Sequence, residues 1–414
     1  MATNRVLTRR QALVLGLGSL TGMCAFTLAS ELRHLNDQMR AIADDKTFAV
    51  VGNRPLRERA AAKGLIYGAT GSYRRLSSDP NFATRFAQEC GILVPEWELK
   101  WRTLRPSPDR FDFTQGDWLV EFARTHGMLF RGHTLVWHDD LPQWFADKVD
   151  SRNAEQMLRQ HIETVVGHYA GQVHSWDVVN EAVSLKDGRS DGLRKWPWLQ
   201  LLGPDYIEIA FRVAAEADPK ALLVYNDYGL DYDTRDDEAK RTAVLKLLER
   251  LKSRGTPVHA LGMQAHLQGD ETRLNPTKLR NFLRDVASLG LKILITEMDA
   301  TDQKLPKDVQ VRDRMVAGVY EDYLSVVLDE PAVIAVLTWG LSDRYTWLSK
   351  HKPRKDKASV RTLPFDAQLE RKLAWNAIAR AFDMATPGIV HRPPALKLTL
   401  LQCGKPMTVM AQIC

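Results

Sequence analysis

From residue 64 onward the chain alternates between short, mainly apolar runs and longer stretches with apolar positions at helical spacing. The short runs are LIYGAT (65–70), GILVPEW (91–97), MLFRGHTLVW (128–137), VHSWDVVNE (173–181), LLVYND (222–227), ALGMQAH (260–266), KILITEMD (292–299) and VIAVLTWGL (333–341). Between them lie stretches such as AEQMLRQHIETVVGHYA, DYIEIAFRVAAEA, EAKRTAVLKLLERLKSRG and VRDRMVAGVYEDYLSVVLDE. A strand that is apolar on both faces has no side for solvent, so these runs predict parallel strands covered by helices. Eight such runs alternating with helices predict an α/β chain folded as a (β/α)8 TIM barrel. An open doubly wound sheet is the competing topology, but no GxGxxG opens a helix here, so its phosphate fingerprint is missing.

Two runs break their own pattern. In WDVVNEAV (176–183) the apolar Trp176, Val178 and Val179 give way to Asn180 and Glu181, and in ILITEMDA (293–300) an apolar run ends in Glu297. A barrel of this kind carries its chemistry at the carboxyl ends of its strands. Polar and aromatic residues gather there: Glu96 and Lys100, then His133, Trp137 and His138, then Asn180 and Glu181. Asn226 and Asp227, Gln264 and His266, Glu297 and Asp299, and finally Trp339 complete the ring. Such a ring suits a polar, ring-shaped substrate.

Cleaving a glycosidic bond takes two carboxyl groups, one to protonate the leaving oxygen and one to attack or to activate water. Glu181 and Glu297 lie on the fourth and seventh runs, nearly opposite around a barrel of eight. Asp299, two residues beyond Glu297, falls on the same side of an extended segment. His266 is then placed to bond Glu297 and to be oriented by Asp299, and a neutral or proton-sharing imidazole would help keep Glu297 ionised. Asn180 is placed to bond the hydroxyl beside the reacting carbon. His133, His138, His174 and His266 raise the question of a metal, but no HExxH or similar spacing occurs. No metal and no cofactor are expected.

WDVVNEAV, GHTLVWH (132–138), GMQAHL (262–267), ITEMD (295–299) and TWGLSD (338–343) together resemble glycoside hydrolase family 10, the retaining endo-β-1,4-xylanases, over residues 56–383. The resemblance implies Glu181 as acid/base and Glu297 as nucleophile. It implies Asn180, Gln264, His266, His133, Trp137, Lys100 and Trp339 around the sugar at the cleavage point, Asp299 behind them, and Glu96 and Trp347 at the next sugar on the non-reducing side. The chain departs from the family at that next sugar. Trp97 stands in EWELKW where the family has Asn, and Asp140 stands in WHDD where it has Gln. The resemblance thus implies xylan or a related β-1,4-glycan as the partner. A hydrolase or transglycosylase on another β-1,4-glycan, or a non-catalytic sugar-binding scaffold, is the alternative. The scaffold reading would expect a lost catalytic Glu, and neither is lost.

Composition adds two points. The net charge of +6 is mild and dispersed, and Arg5, Arg9 and Arg10 supply half of it, so nucleic acid is not an expected partner. The 11 Trp suit stacking on sugar rings. Trp144 and Trp176 read as packing residues, Trp339 and Trp347 as sugar platforms. KHKPRKDK (350–357) reads as a solvated loop, with acidic side groups of xylan as the alternative contact.

The opening residues 1–29 place basic residues before an apolar run and small residues after it, the layout of an export signal, and Arg9-Arg10 resembles a twin-arginine signal. An uncleaved membrane anchor is the alternative. The expected organisation is a signal at 1–29, a helical extension at 30–55, the barrel at 56–383 and a tail at 384–414. The mature chain is expected in the periplasm or outside the cell, as a monomer without stable membrane association. Of Cys24, Cys90, Cys403 and Cys414, three follow the signal, which is no disulfide framework; Cys90 is expected as a buried thiol, and Cys403 with Cys414 as a candidate pair in the tail.

Overall fold

The computed structural model describes residues 47–387 other than 272. The strands are β1 (Ile66–Gly71), β2 (Ile92–Pro95), β3 (Leu129–Val136), β4 (Ser175–Asn180), β5 (Leu222–Asp227), β6 (Ala260–Met263), β7 (His266–Gln268), β8 (Lys292–Thr301) and β9 (Val333–Thr338). From β1 through β6, neighbours in the chain pair in parallel; β6 then pairs with β8, β8 with β9, and β9 with β1. The sheet therefore closes into an eight-staved barrel, and the open-sheet alternative is excluded.

The sixth stave is in two pieces. The expected run 260–266 breaks at Gln264 and Ala265, where Ala265 takes a left-handed φ of +57°. β7 then resumes beside the far half of β8, with His266 opposite Asp299. The break stays tied to both neighbours: the Gln264 N–H donates to the Asp227 carbonyl (3.0 Å), and the Glu297 N–H donates to the Gln264 carbonyl (3.0 Å). Periodicity does not show it, because an apolar run reads the same whether or not one residue turns.

Two apolar layers result from strands buried on both faces. The larger lies between the strands and the surrounding helices, among them Ala154–His168, Tyr206–Ala217, Arg235–Ser253 and Val309–Val327. A smaller cluster of Ile92, Val94, Val224, Ala260, Leu294, Ala335 and Leu337 is separate from it, as residues pointing into the lumen must be, and Trp339 packs against this cluster. On β3 and β4 the same inward rows turn polar. Buried Arg131 donates to the Ser175 hydroxyl (2.8 Å) and pairs with Asp177, so the charge is buried with its counter-charge.

Three expectations are corrected or refined. Residues 47–55 of the expected helical extension carry no helix. They are held instead by buried Arg59, which donates to the carbonyls of Val51, Gly52 and Arg54 and pairs with Asp383 of the helix Leu373–Met384. The stretch 350–357 is not wholly solvated, because Arg354 is buried. Trp176 is fully buried, and Trp144 is half-buried with its indole N–H donating to the Arg105 carbonyl (2.9 Å). Cys90 is a buried thiol, pushed up by burial. The expected signal and tail, with Cys24, Cys403 and Cys414, lie outside the described residues. Among those described, no helix is long and apolar enough to cross a membrane.

Candidate active site

Strand ends β4 to β8 bring Asn180, Glu181, Asn226, Gln264, His266 and Glu297 to one cleft mouth. Glu181 follows the last residue of β4 at a φ of +58°, a conformation that non-glycine residues adopt at a cost of about 1–3 kcal/mol. Backbone contacts on both sides hold it there. Its N–H donates to the Asn226 carbonyl (2.8 Å), and its carbonyl accepts from Arg194 Nε (2.8 Å). Strand geometry would have pointed the next side chain after Asn180 to the outer face; the turn at Glu181 brings its carboxyl into the cleft instead.

Asn226 links the Glu297 carboxylate to Asn180, which in turn reaches Glu181. Fully buried, its Nδ2 donates to Glu297 Oε1 (2.8 Å) and to Asn180 Oδ1 (2.9 Å), while its Oδ1 accepts from the Thr296 hydroxyl (2.7 Å). Gln264 Nε2 donates to Glu181 Oε1 (2.9 Å) and reaches Asn180 Oδ1 (3.3 Å); Asn180 Nδ2 reaches Glu181 Oε1 (3.3 Å). Four staves thus share one amide network. Its room is made by Gly262, where a Cβ would sit 2.3 Å from Asn226 Oδ1 and 3.0 Å from the Thr296 methyl. Gly262→Ala should therefore displace the Asn226 amide and cut kcat by about 100-fold, the scale of a misplacement near ~1 Å. The check is kcat beside far-UV circular dichroism; an intact fold with unchanged kcat would remove Asn226 from the positioning role.

Glu297 Oε2 faces His266 Nε2 (3.2 Å), and His266 Nδ1 faces Asp299 Oδ1 (3.0 Å). Asp299 is fully buried, and its Oδ2 accepts from the Trp347 indole N–H (2.7 Å). Burial disfavours a charged imidazole, but the Asp299 charge and bond, and then Glu297, outweigh it and raise His266 well above its ordinary value. Of the two expected states, neutral or proton-sharing, the neutral one is disfavoured: flanked by two carboxylates, His266 is drawn toward its protonated form. Burial likewise pushes Glu297 up, yet the His266 hydrogen bond, the charges of His133 and His266, and the Asn226 bond bring it below its ordinary value. Glu181 goes the other way. Its burial dominates, Gln264 opposes only in part, and the charges of Asp227 and Glu297 add to the upward shift. One carboxyl is pushed toward its ionised form and its neighbour toward its acid form, the opposed setting that suits a nucleophile beside an acid. His138, pushed down to about 4 by burial and Arg194, places Nδ1 3.6 Å from Glu181 Oε2 as a neutral neighbour.

The other expected residues line the same cleft, which holds about 710 Å³. His133 Nδ1 bonds Asp177 Oδ2 (2.9 Å), so the lumen ion pair orients its ring, which meets Trp339 edge to face at 5.3 Å. Lys100 is buried with its ammonium between two indoles, 4.4 Å from the Trp97 ring centre and 4.6 Å from that of Trp137. Glu96 is buried against Arg75. Of the two departures from the family pattern, Trp97 is 49% exposed at the rim and Asp140 lies 3.2 Å from Arg102. Every expected site residue is therefore at the cleft or bonded to one that is. Asn226, Thr296 and Asp177 have no role that the sequence alone assigns. Asn226 stands at a strand end like its neighbours, but only the pairing of β4, β5, β6 and β8 puts it between Asn180 and the Glu297 carboxylate.

Residues 55–381 match the sequence pattern described as Glycosyl hydrolase family 10. The chain is 37% identical to endo-1,4-beta-xylanase B of Thermotoga neapolitana over 80% of its own length and 92% of that protein. It is 38% identical to a beta-1,4-xylanase of Dictyoglomus thermophilum over 62% of its length and 72% of the relative. Among solved structures, xylanase 10B of Thermotoga petrophila in complex with xylobiose superposes with a TM-score of 0.73 at 34% identity, covering 81% of this chain and 99% of the other.

Proposed function

We propose, from the premise that this chain belongs to glycosyl hydrolase family 10, that it is an endo-β-1,4-xylanase cleaving internal bonds of xylan with retention of configuration. The observation that carries the reading is the opposed setting of two buried carboxyls on one amide network, Glu297 held down and Glu181 held up. Glu297 attacks the anomeric carbon as Glu181 gives its proton to the leaving oxygen. The bond to the leaving sugar breaks and a glycosyl ester forms on Glu297. Glu181, now ionised, takes a proton from water, which attacks the same carbon from the vacated face and frees Glu297. Two inversions leave the β configuration. His266, kept positive by Asp299, balances the Glu297 charge, and Asn226 orients it. Asn180, Gln264, His133, Lys100, Trp137 and Trp339 surround the reacting sugar; Glu96 and Trp347 hold the next.

The barrel at 56–383 is the catalytic domain in this reading. Residues 1–29 serve as a twin-arginine-type export signal, and the mature chain works as a monomer in the periplasm or outside the cell, without nucleic acid or a lasting membrane contact. The test is product analysis on glucuronoxylan, arabinoxylan, cellulose and mixed-linkage glucan. Short xylo-oligosaccharides from the two xylans support the reading. Cleavage of cellulose or mixed-linkage glucan alone would reassign the substrate to the subsite altered by Trp97 and Asp140.

The pH dependence follows in sign. Turnover needs Glu297 deprotonated, so activity rises with pH through its lowered value; it needs Glu181 protonated, so activity falls through its raised value. The kcat/KM profile should be a bell whose limbs straddle the ordinary Glu range near ~4.3. Asp299→Asn takes a negative charge from His266 and so weakens the imidazolium. The acid limb should then move up, by about 1 unit, with the alkaline limb in place. An acid limb unmoved by that change would remove Asp299 from the control of Glu297.

A further inference from the structure

The stretch 350–357 carries Lys350, Lys352, Lys355 and Lys357 within eight residues, all exposed, and none forms an ion pair among the described residues. Like charges so close together repel, and a merely solvated loop would relieve this by moving. This one is fastened. Arg354 is buried, donates to the carbonyls of Asp302 and Leu305, and is paired with Asp356. Asp356 also accepts from the Ala358 N–H (3.0 Å), and the Lys357 N–H closes a turn on the Arg354 carbonyl (3.2 Å). Gln303 Nε2 donates to the Pro353 carbonyl (3.1 Å), tying the loop to the segment that follows β8. The arginine and aspartate are thus engaged in anchoring, and the lysines are left as net charge on a fixed frame.

That frame borders the cleft. His351 lines it, and its ring lies 5.1 Å from that of Trp347. Elsewhere the cleft lining is rich in acids, with Glu96, Asp139, Asp140, Asp231 and Asp237. Glu96 and Asp140 are paired with Arg75 and Arg102, so the unpaired lysines make this edge the place where an anionic substituent on a bound glycan meets net positive charge.

We propose that the anchored loop 350–357 is a recognition site for carboxylated side groups, uronic acids, carried by the glycan chain near Trp347. The inference rests on the glycan-hydrolase reading above. A pre-formed loop conformation lowers the ordering cost of binding, and exposed ion pairs are weak singly but add when several cations face one anion. The site therefore sets preference among substrates, not turnover itself.

The test compares a neutral xylo-oligosaccharide with one of equal length bearing a single glucuronic acid, on the full chain and on a variant with Lys350→Gln, Lys352→Gln, Lys355→Gln and Lys357→Gln. In the parent, kcat/KM for the acidic substrate relative to the neutral one should fall severalfold as salt rises from about 20 to 500 mM, since screening shortens to a few ångströms. In the variant that ratio should be about fivefold lower at low salt and flat with salt. The neutral substrate should be cleaved equally well by both proteins. A ratio that is the same in parent and variant, or equal losses on both substrates, would overturn the assignment. If the parent cleaves no neutral xylo-oligosaccharide, the hydrolase reading itself fails, and this inference fails with it.

Discussion

Replacing Glu297 with alanine should lower xylan hydrolysis at least about 10,000-fold, the scale of losing a covalent nucleophile. The carboxylate is not one contact among many. It is the group that forms the bond, and the structure keeps it ionised against its own burial through His266, His133 and Asn226. No neighbour can take its place: Asp299 is turned away onto His266 and the Trp347 indole, and the Glu181 carboxyl is engaged with Gln264 and Asn180 while its burial favours the acid form. The loss should be chemical and not a failure to fold. Removing the carboxylate leaves His266 paired with Asp299 and Asn226 still bonded to Asn180 and Thr296. Azide gives the sharper readout. With an activated aryl xyloside, azide should enter the space left by the carboxylate, displace the phenolate in one inversion, and give an α-glycosyl azide detectable by proton NMR. Residual activity within about tenfold of the parent, or a β-azide, would reassign the nucleophile.

Replacing Glu181 with alanine should produce a loss that depends on the leaving group. Xylan leaves as a poor alkoxide and needs the proton, so its hydrolysis should fall about 1,000- to 10,000-fold. A dinitrophenyl xyloside leaves unaided, so formation of the glycosyl-enzyme should be nearly unchanged. Its hydrolysis lacks a base, however, and the intermediate should accumulate, with a burst of phenolate, a lowered KM and a lowered kcat. The alkaline limb of the pH profile should also vanish, because the group raised by burial is gone. These effects separate an acid/base from a residue that only shapes the cleft. Equal losses on xylan and on the dinitrophenyl substrate, with the alkaline limb intact, would count against the role.

Much of the architecture is legible in the apolar pattern of the chain. Eight largely apolar runs mark eight staves because a strand buried on both faces admits a polar residue inside it only with a partner, as Arg131 has Asp177, and otherwise at its end. For the same reason the ends of the runs mark the cleft, and Glu181 and Glu297 stand out as acids where an apolar pattern stops. Boundaries are less legible. The sixth run divides at Ala265, and residues 47–55 lack the expected helix, because backbone conformation at one residue and the docking of a polar segment on Arg59 leave little trace in periodicity. The basic stretch 350–357 is legible only in part, since a buried arginine and an exposed lysine are both simply positive in sequence.

The order of residues along the chain is enough to say which groups this protein has for chemistry and on which stave each one stands, because side-chain period and burial are local properties. The states of those groups belong to the folded molecule. The upward shifts of His266 and Glu181 and the downward shift of Glu297 depend on distances between residues 31 to 164 positions apart, and on burial that no single strand creates. Asn226 shows the same division most simply. It is an ordinary amide at the end of β5 until closure of the barrel puts it within bonding distance of Asn180 on one side and Glu297 on the other, with Gly262 leaving the space it fills. Charge states and hydrogen bonds are set by what surrounds a group in space, and a chain acquires those surroundings only by folding.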